Sequence, residues 1–130
     1  MTAIAFALAR FKVADLPGLE KFYTEALGFT VAMRVTEGEG KDELREIFLS
    51  LGGARPQFAL LHYPNRPAPP PGEAVIAFVV DDLEASVEAV EAHGGTNVTG
   101  IVAVPDHNMK LAFVTDPEGH TVELMQMLTA

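Results

Sequence analysis

The sequence predicts an α+β fold built twice over: two tandem βαβββ modules whose four-stranded mixed sheets stand side by side as an open cup. Three observations carry this. The run Phe11-Lys-Val-Ala-Asp-Leu16 returns as Phe78-Val-Val-Asp-Asp-Leu83, 67 residues later, and the same offset sets Gly28 on Gly95 and Val31 on Val98. Each copy holds one stretch of helical period framed by alternating, strand-like stretches. Between the copies lies NRPAPPPGE, residues 65–73, whose prolines make a stiff, extended connector. The chain thus reads as one domain over residues 1–130, with module one at 1–64 and module two at 74–130.

In the first module, residues 3–13 alternate as a strand. Ile4, Phe6, Leu8, Arg10 and Lys12 share one face, and Ala5, Ala7, Ala9, Phe11 and Val13 share the other. Asp15 is placed to cap a helix, and Pro17 is tolerable in its first turn. Leu19, Phe22, Tyr23 and Leu27 give that helix an apolar stripe, and Gly28 ends it. Strands are expected near 29–36, 44–51 and 57–63, with Gly52-Gly53 marking the turn between the last two. In the second module, 74–80 is a strand and Asp82 caps a helix with Leu83, Val87 and Val90 on its apolar stripe. Gly94-Gly95 ends that helix. Strands follow near 97–104, 108–115 and 120–127, the last turn marked by Pro117 and Gly119.

Composition narrows the function. A net charge of −9 disfavours nucleic acid and anionic membrane surfaces as partners. No run of 18 or more apolar residues suggests a membrane helix. The opening MTAIAFALARFKVADL lacks the basic-then-apolar order of a signal peptide, so a cytoplasmic protein is expected. The absence of cysteine removes disulfides, thiolate nucleophiles and thiolate metal ligands. No phosphate-binding glycine loop, nucleophile elbow or zinc-finger spacing is present.

FKVADLPGLEKFYTEALGF and AFVTDPEGHTVEL, residues 11–29 and 112–124, resemble the vicinal oxygen chelate superfamily, the group of glyoxalase I, extradiol dioxygenases and bleomycin-resistance proteins. The resemblance covers nearly the whole chain. It marks the fold well and the reaction poorly, because the superfamily hosts several chemistries and binding-only members. It implies four metal-ligand positions on the cup floor, one on the first and one on the last strand of each module, usually His, Gln or Glu. Carried over by position, these are Leu8, Leu60, Val75 and Glu123. Three cannot coordinate an ion, and open catalytic metal sites usually use three protein ligands. No metal or other cofactor is therefore expected at the usual place. A displaced set of His62, His107 and Glu123 is the alternative.

The candidate residues follow from these faces. Glu123, between Val122 and Leu124, is either a ligand contact or acid/base in the cup, or a hydrated remnant of a metal site. Arg10 and Lys12 share the face of Leu8. The resemblance places a basic residue at position 12 in contact with an anionic substrate group, and Arg10 suits a carboxylate bidentately; both could instead reach water from a strand end. His62 is expected on the cup face with Phe58 and Leu60. His107, in PDHNMK, is a loop residue at a cup rim. Phe48 and Phe113 occupy matching places as cavity wall or core. Met109, Met125 and Met127 offer an adaptable apolar lining. His93 and His120 are read as a helix-end and a turn residue.

The leading expectation is a metal-independent, small-molecule-binding member of the superfamily, taking a neutral aromatic or anionic organic ligand. The ligand-binding set is Arg10, Lys12, Phe48, Leu60, His62, His107 and Phe113, with Glu123 as the candidate catalytic group. The resemblance implies a homodimer. A metal-independent lyase or isomerase using Glu123 as acid/base is the second expectation. A divalent-metal lyase or dioxygenase with displaced ligands is the third.

Overall fold

A computed structural model of the chain describes residues 1–128. Its order is β1 (Ala9–Lys12), α1 (Leu16–Glu25), β2 (Thr30–Glu37), β3 (Leu44–Ser50), β4 (Phe58–His62), β5 (Val75–Val79), α2 (Leu83–Ala92), β6 (Thr96–Asn97), β7 (Val102–Val104), β8 (Met109–Thr115) and β9 (Thr121–Met127). The α+β expectation holds, with two mixed sheets and two α-helices. Among the described residues, no helix is long and apolar enough to cross a membrane. Two compact units form: residues 1–20 with 28–69, and residues 21–27 with the chain from 70 onward. The second half of α1 thus clusters with the later elements. The connector 65–73 has no regular secondary structure.

In the first unit the sheet order is β1-β4-β3-β2, with β1 parallel to β4 and the other pairs antiparallel. Alternation splits its side chains. Phe11, Ile47, Leu49, Phe58 and Leu60 are buried on one face. Phe11 and Phe58 meet edge to face with ring centroids 5.4 Å apart. Leu19 of α1 is buried as well, and Arg34 on this face holds Glu20 of α1 through two 2.7 Å bonds. The opposite face carries Arg10, Lys12, Glu46, Phe48, Ala59 and Leu61. Asp15 caps α1, accepting the Gly18 amide at 3.1 Å.

The first strand is shorter than expected. Pairing begins at Ala9, and residues 1–8 belong to no strand, with Ile4 97% and Phe6 67% exposed. The alternating pattern is present, yet among the described residues no strand pairs with it, and the Phe6 carbonyl accepts from the Arg55 side chain at 3.0 Å.

In the second unit the order is β5-β9-β8-β6, with β7 also on β8; β5 is parallel to β9. The strand expected over 97–104 is broken into β6 and β7. Asn97 Oδ1 accepts the Gly100 amide at 2.9 Å, Thr99 Oγ1 accepts the Phe113 amide at 3.0 Å, and Gly100 takes φ 71°. Side chains there capture amides a ladder would use. α2, capped by Asp82 through the Ala85 amide at 3.1 Å, packs Leu83, Val87 and Val90 on β8 and β9, where Ala112, Val114, Val122 and Leu124 are buried. Gly95 fits this core because a side chain there would meet the Thr115 carbonyl at 2.5 Å and Val90 Cγ1 at 2.6 Å.

Candidate functional site

The face of the first unit's sheet that carries Arg10 has two cross-strand rows. Arg10, Ala59, Phe48 and Met33 form one; Lys12, Leu61, Glu46 and Val35 form the other. Ala59 is fully buried and small, so the Arg10 guanidinium passes over it to form an ion pair with Glu46. Glu46 is only 6% exposed, whereas the Arg10 side chain is 44% exposed. Sequence reasoning missed Glu46. Its one legible signal is its parity with Phe48, which sets it on the Arg10 face. The pair changes the meaning of Arg10, since the cation is already neutralised by a neighbour.

Lys12 is exposed at the strand end, its ammonium 6.0 Å from the Tyr63 ring. Beside it a cavity of about 50 Å³ is lined by Lys12, Val13, Leu61, Tyr63, Arg66 and the prolines 67 and 69. Arg66 stacks on Tyr63 at 4.2 Å and binds Asp42 at 2.7 Å.

The register corrects two expectations. Leu60 and His62 do not share the face of Arg10 and Lys12, because Arg10 stands beside Ala59, and Leu60 is one residue on. Leu60 is fully buried on the helix side of the sheet, and His62 turns its Nδ1 to the Val13 carbonyl at 2.9 Å. A one-residue shift along a strand exchanges the faces. Phe48 is on the Arg10 face, half-buried.

In the second unit, Ala77, Glu123 and Phe113 form one row on the face away from α2. Glu123 and Phe113 are both half-buried. Val75 and Val79 flank the row on β5 and are 57% and 63% exposed; Met125 and Met127 continue the surface along β9. The face sets hydrocarbon, with Thr115 and Thr121, around a single carboxylate. Glu123 stands half-buried on that face, between Ala77 and Phe113 in its row.

The turn before it is a separate construction. Asp116, 2% exposed, accepts from the Glu118 and His120 amides at 3.0 Å, from the Tyr23 hydroxyl at 2.7 Å, and faces His120 Nδ1 at 2.8 Å. Burial, and then the Asp116 carboxylate, push the Tyr23 phenol well above its usual pKa. His120 therefore locks the turn. His107 ends a single 3₁₀ turn over Pro105–His107 and is exposed.

The repeat relates Arg10–Ala59 to Ala77–Glu123, so the first module's counterpart of Glu123 is Ala59 rather than Leu60. The four positions the resemblance marks for metal are then Leu8, Ala59, Val75 and Glu123. Three are hydrocarbon, and this donor set does not fit a divalent ion. Among the described residues, no three His, Asp or Glu side chains group closely enough to hold one elsewhere. The displaced set fares no better within the first unit, where His62 is committed to Val13 on the helix side.

Comparison with known proteins places this arrangement. Residues 6–124 match the model of the Glyoxalase/Bleomycin resistance protein/Dioxygenase superfamily. The lactoylglutathione lyase of Haemophilus influenzae is 30% identical over 117 residues, covering 88% of this chain and 87% of that protein. A probable lactoylglutathione lyase of Vibrio parahaemolyticus is 32% identical over 120 residues, covering 88% and 85%. The crystal structure of a glyoxalase family protein from Bacillus cereus has the same fold, with a TM-score of 0.85 over 99% of this chain and 97% of that one at 16% identity. The chain belongs to the Glyoxalase/Bleomycin resistance protein/Dioxygenase superfamily.

Proposed function

We propose that this chain is a metal-independent member of its superfamily that binds a small organic molecule, neutral aromatic or anionic, as a cytoplasmic homodimer. One observation carries the reading. Three of the four metal positions the resemblance marks are Leu8, Ala59 and Val75; the first unit's sheet offers a guanidinium held by Glu46, and the second unit's sheet a carboxylate beside Phe113. Such surfaces suit contact with an aromatic ring and one or two polar groups. The net charge of −9 leaves nucleic acid without an attractive surface.

The Arg10–Glu46 pair refines the ligand. An anionic group must compete with Glu46 for Arg10, so a neutral aromatic ligand is favoured at that row. Lys12 is the better candidate for a carboxylate.

A second reading is favoured by the relatives, two of which are a lactoylglutathione lyase and a probable one. In it Glu123 moves a proton to or from a carbon beside a carbonyl, with no metal. Thermal-shift screening of aromatic and carboxylate compounds tests the first reading. Ligands at 100 Kd stabilise by about 2.7 kcal/mol, and Phe113→Ala should reduce the shift. Hits that appear only after a divalent metal is added would overturn it. Turnover by a hit that Glu123→Gln abolishes, with affinity kept, would establish the second reading.

A further inference from the structure

We propose that the Arg10–Glu46 pair reads a neutral group carrying an acceptor beside a donor, a carboxamide or lactam, on an aromatic ring laid against Phe48. The inference deepens the ligand reading above and rests on it, naming the chemical class that the first unit's sheet selects.

The pair spans the sheet. β1, β4 and β3 set Arg10, Ala59 and Phe48 in one row and Lys12, Leu61 and Glu46 in the next. Ala59 and Leu61, on the strand between the two charges, are both buried, so the arginine crosses a whole strand to reach its partner. Glu46 is 6% exposed, with Leu61 and Val35 as its cross-strand neighbours, a setting that penalises an uncompensated carboxylate. Among the described residues, each side chain is the other's only hydrogen-bond and ion-pair partner.

That bond uses part of each group. It runs from Arg10 Nε to Glu46 Oε2. A guanidinium holds five N–H donors in one plane, so those on the two Nη atoms remain. The Arg10 side chain is 44% exposed, which leaves them accessible. Among the described residues, no buried side-chain oxygen or nitrogen lacks a partner. Glu46 Oε1 has no partner, so that oxygen is not sealed in. The pair thus offers donors and an acceptor together, with its two charges cancelling. An amide matches it, its carbonyl accepting from Nη and its N–H donating to Oε1. A carboxylate has no hydrogen to give and brings a second negative charge beside Glu46. Glu46 is therefore a positioning residue that also sets specificity by repulsion. Phe48 lies on the same face of β3, two residues from Glu46 and about 7 Å along the strand. It is half-buried, and a ring stacked on it carries its substituent to the pair.

Benzamide and benzoate share a shape and differ in charge, and calorimetric titration of both is the test. Wild type should bind benzamide more tightly by roughly 10-fold or more. Glu46→Gln keeps an oxygen for Arg10 Nε and removes the charge, so the preference should move towards benzoate by roughly 10-fold or more. Adding Arg10→Met should abolish that gain, which separates Arg10 from Lys12 as the partner of the carboxylate. A wild type that favours benzoate, a preference that Glu46→Gln leaves unmoved, or a benzoate gain that survives Arg10→Met overturns the inference while leaving an aromatic ligand standing. If Glu46→Gln does not fold, Arg10→Lys decides, since it keeps the charge and loses the planar fork. A loss of benzamide affinity of roughly 10-fold supports the inference, and affinity equal to wild type overturns it. Two probes that do not bind, beside other aromatic hits in the screen, overturn this inference alone; no aromatic hit at all overturns the ligand reading with it.

Discussion

Replacing Arg10 with methionine leaves the Glu46 carboxylate on the sheet surface without its cation. Glu46 is 6% exposed, and the neighbouring Ala59 has no group to offer it. Breaking a fully buried pair from one side costs about 3–5 kcal/mol. Here the Arg10 side chain is 44% exposed, so water reaches the site and the expected loss falls to about 1–2 kcal/mol. With an unfolding entropy near 2.1 cal/mol/K per residue, a chain of this length loses roughly 4–7 °C in Tm. Glu46→Met alone frees Arg10 to reach solvent and should cost less. The Arg10→Met/Glu46→Met double variant should recover part of the single loss, giving a coupling of about 1 kcal/mol. Thermal melts and urea titrations of the four proteins measure this cycle. A Tm for Arg10→Met indistinguishable from wild type would refute the reasoning. So would a double variant that loses the full sum of the singles. Either result would mean that Glu46 is hydrated rather than paired, leaving Arg10 available to a ligand anion.

Three further outcomes follow from the same geometry. Tyr23→Phe removes a hydroxyl that donates to buried Asp116 and should cost about 1–3 kcal/mol in urea titrations. Because the folded phenol pKa is raised, the unfolded chain ionises first; wild-type stability is whole below about pH 10 and falls above it, and the variant should lose that alkaline decline. Gly95→Ala drives a methyl group against the Thr115 carbonyl and Val90 and should destabilise by about 1–3 kcal/mol on chemical denaturation. Asp82→Ala removes the cap of α2 and should cost about 1 kcal/mol by the same assay.

The repeat, both helices and their caps were legible because they rest on local pattern: Asp15 and Asp82 cap as their spacing predicts, and the apolar stripes are buried. The faces of single strands were less legible. Residues 58–63 read FALLHY with hydrocarbon on both parities, so alternation could not tell Ala59 from Leu60, and only pairing with Arg10 fixed the face. The break at Thr99-Gly100 was hidden because it depends on a side chain from one strand bonding an amide of another. Glu46 was overlooked for a similar reason: its partner lies two strands away and 36 residues earlier. Residues 1–8 carry a strand pattern, and no strand among the described residues pairs with them.

The central claim is that this sheet surface works without a metal, and metal content measures it most directly. The protein should be purified without a His-tag or chelator and analysed by mass spectrometry, with ligand-induced thermal shifts recorded before and after exposure to Zn, Ni, Mn and Fe. The account predicts no stoichiometric divalent metal and ligand shifts that the ions leave unchanged. One equivalent of bound metal per chain, or shifts that depend on it, would contradict the account and return Glu123 to the role of a ligand.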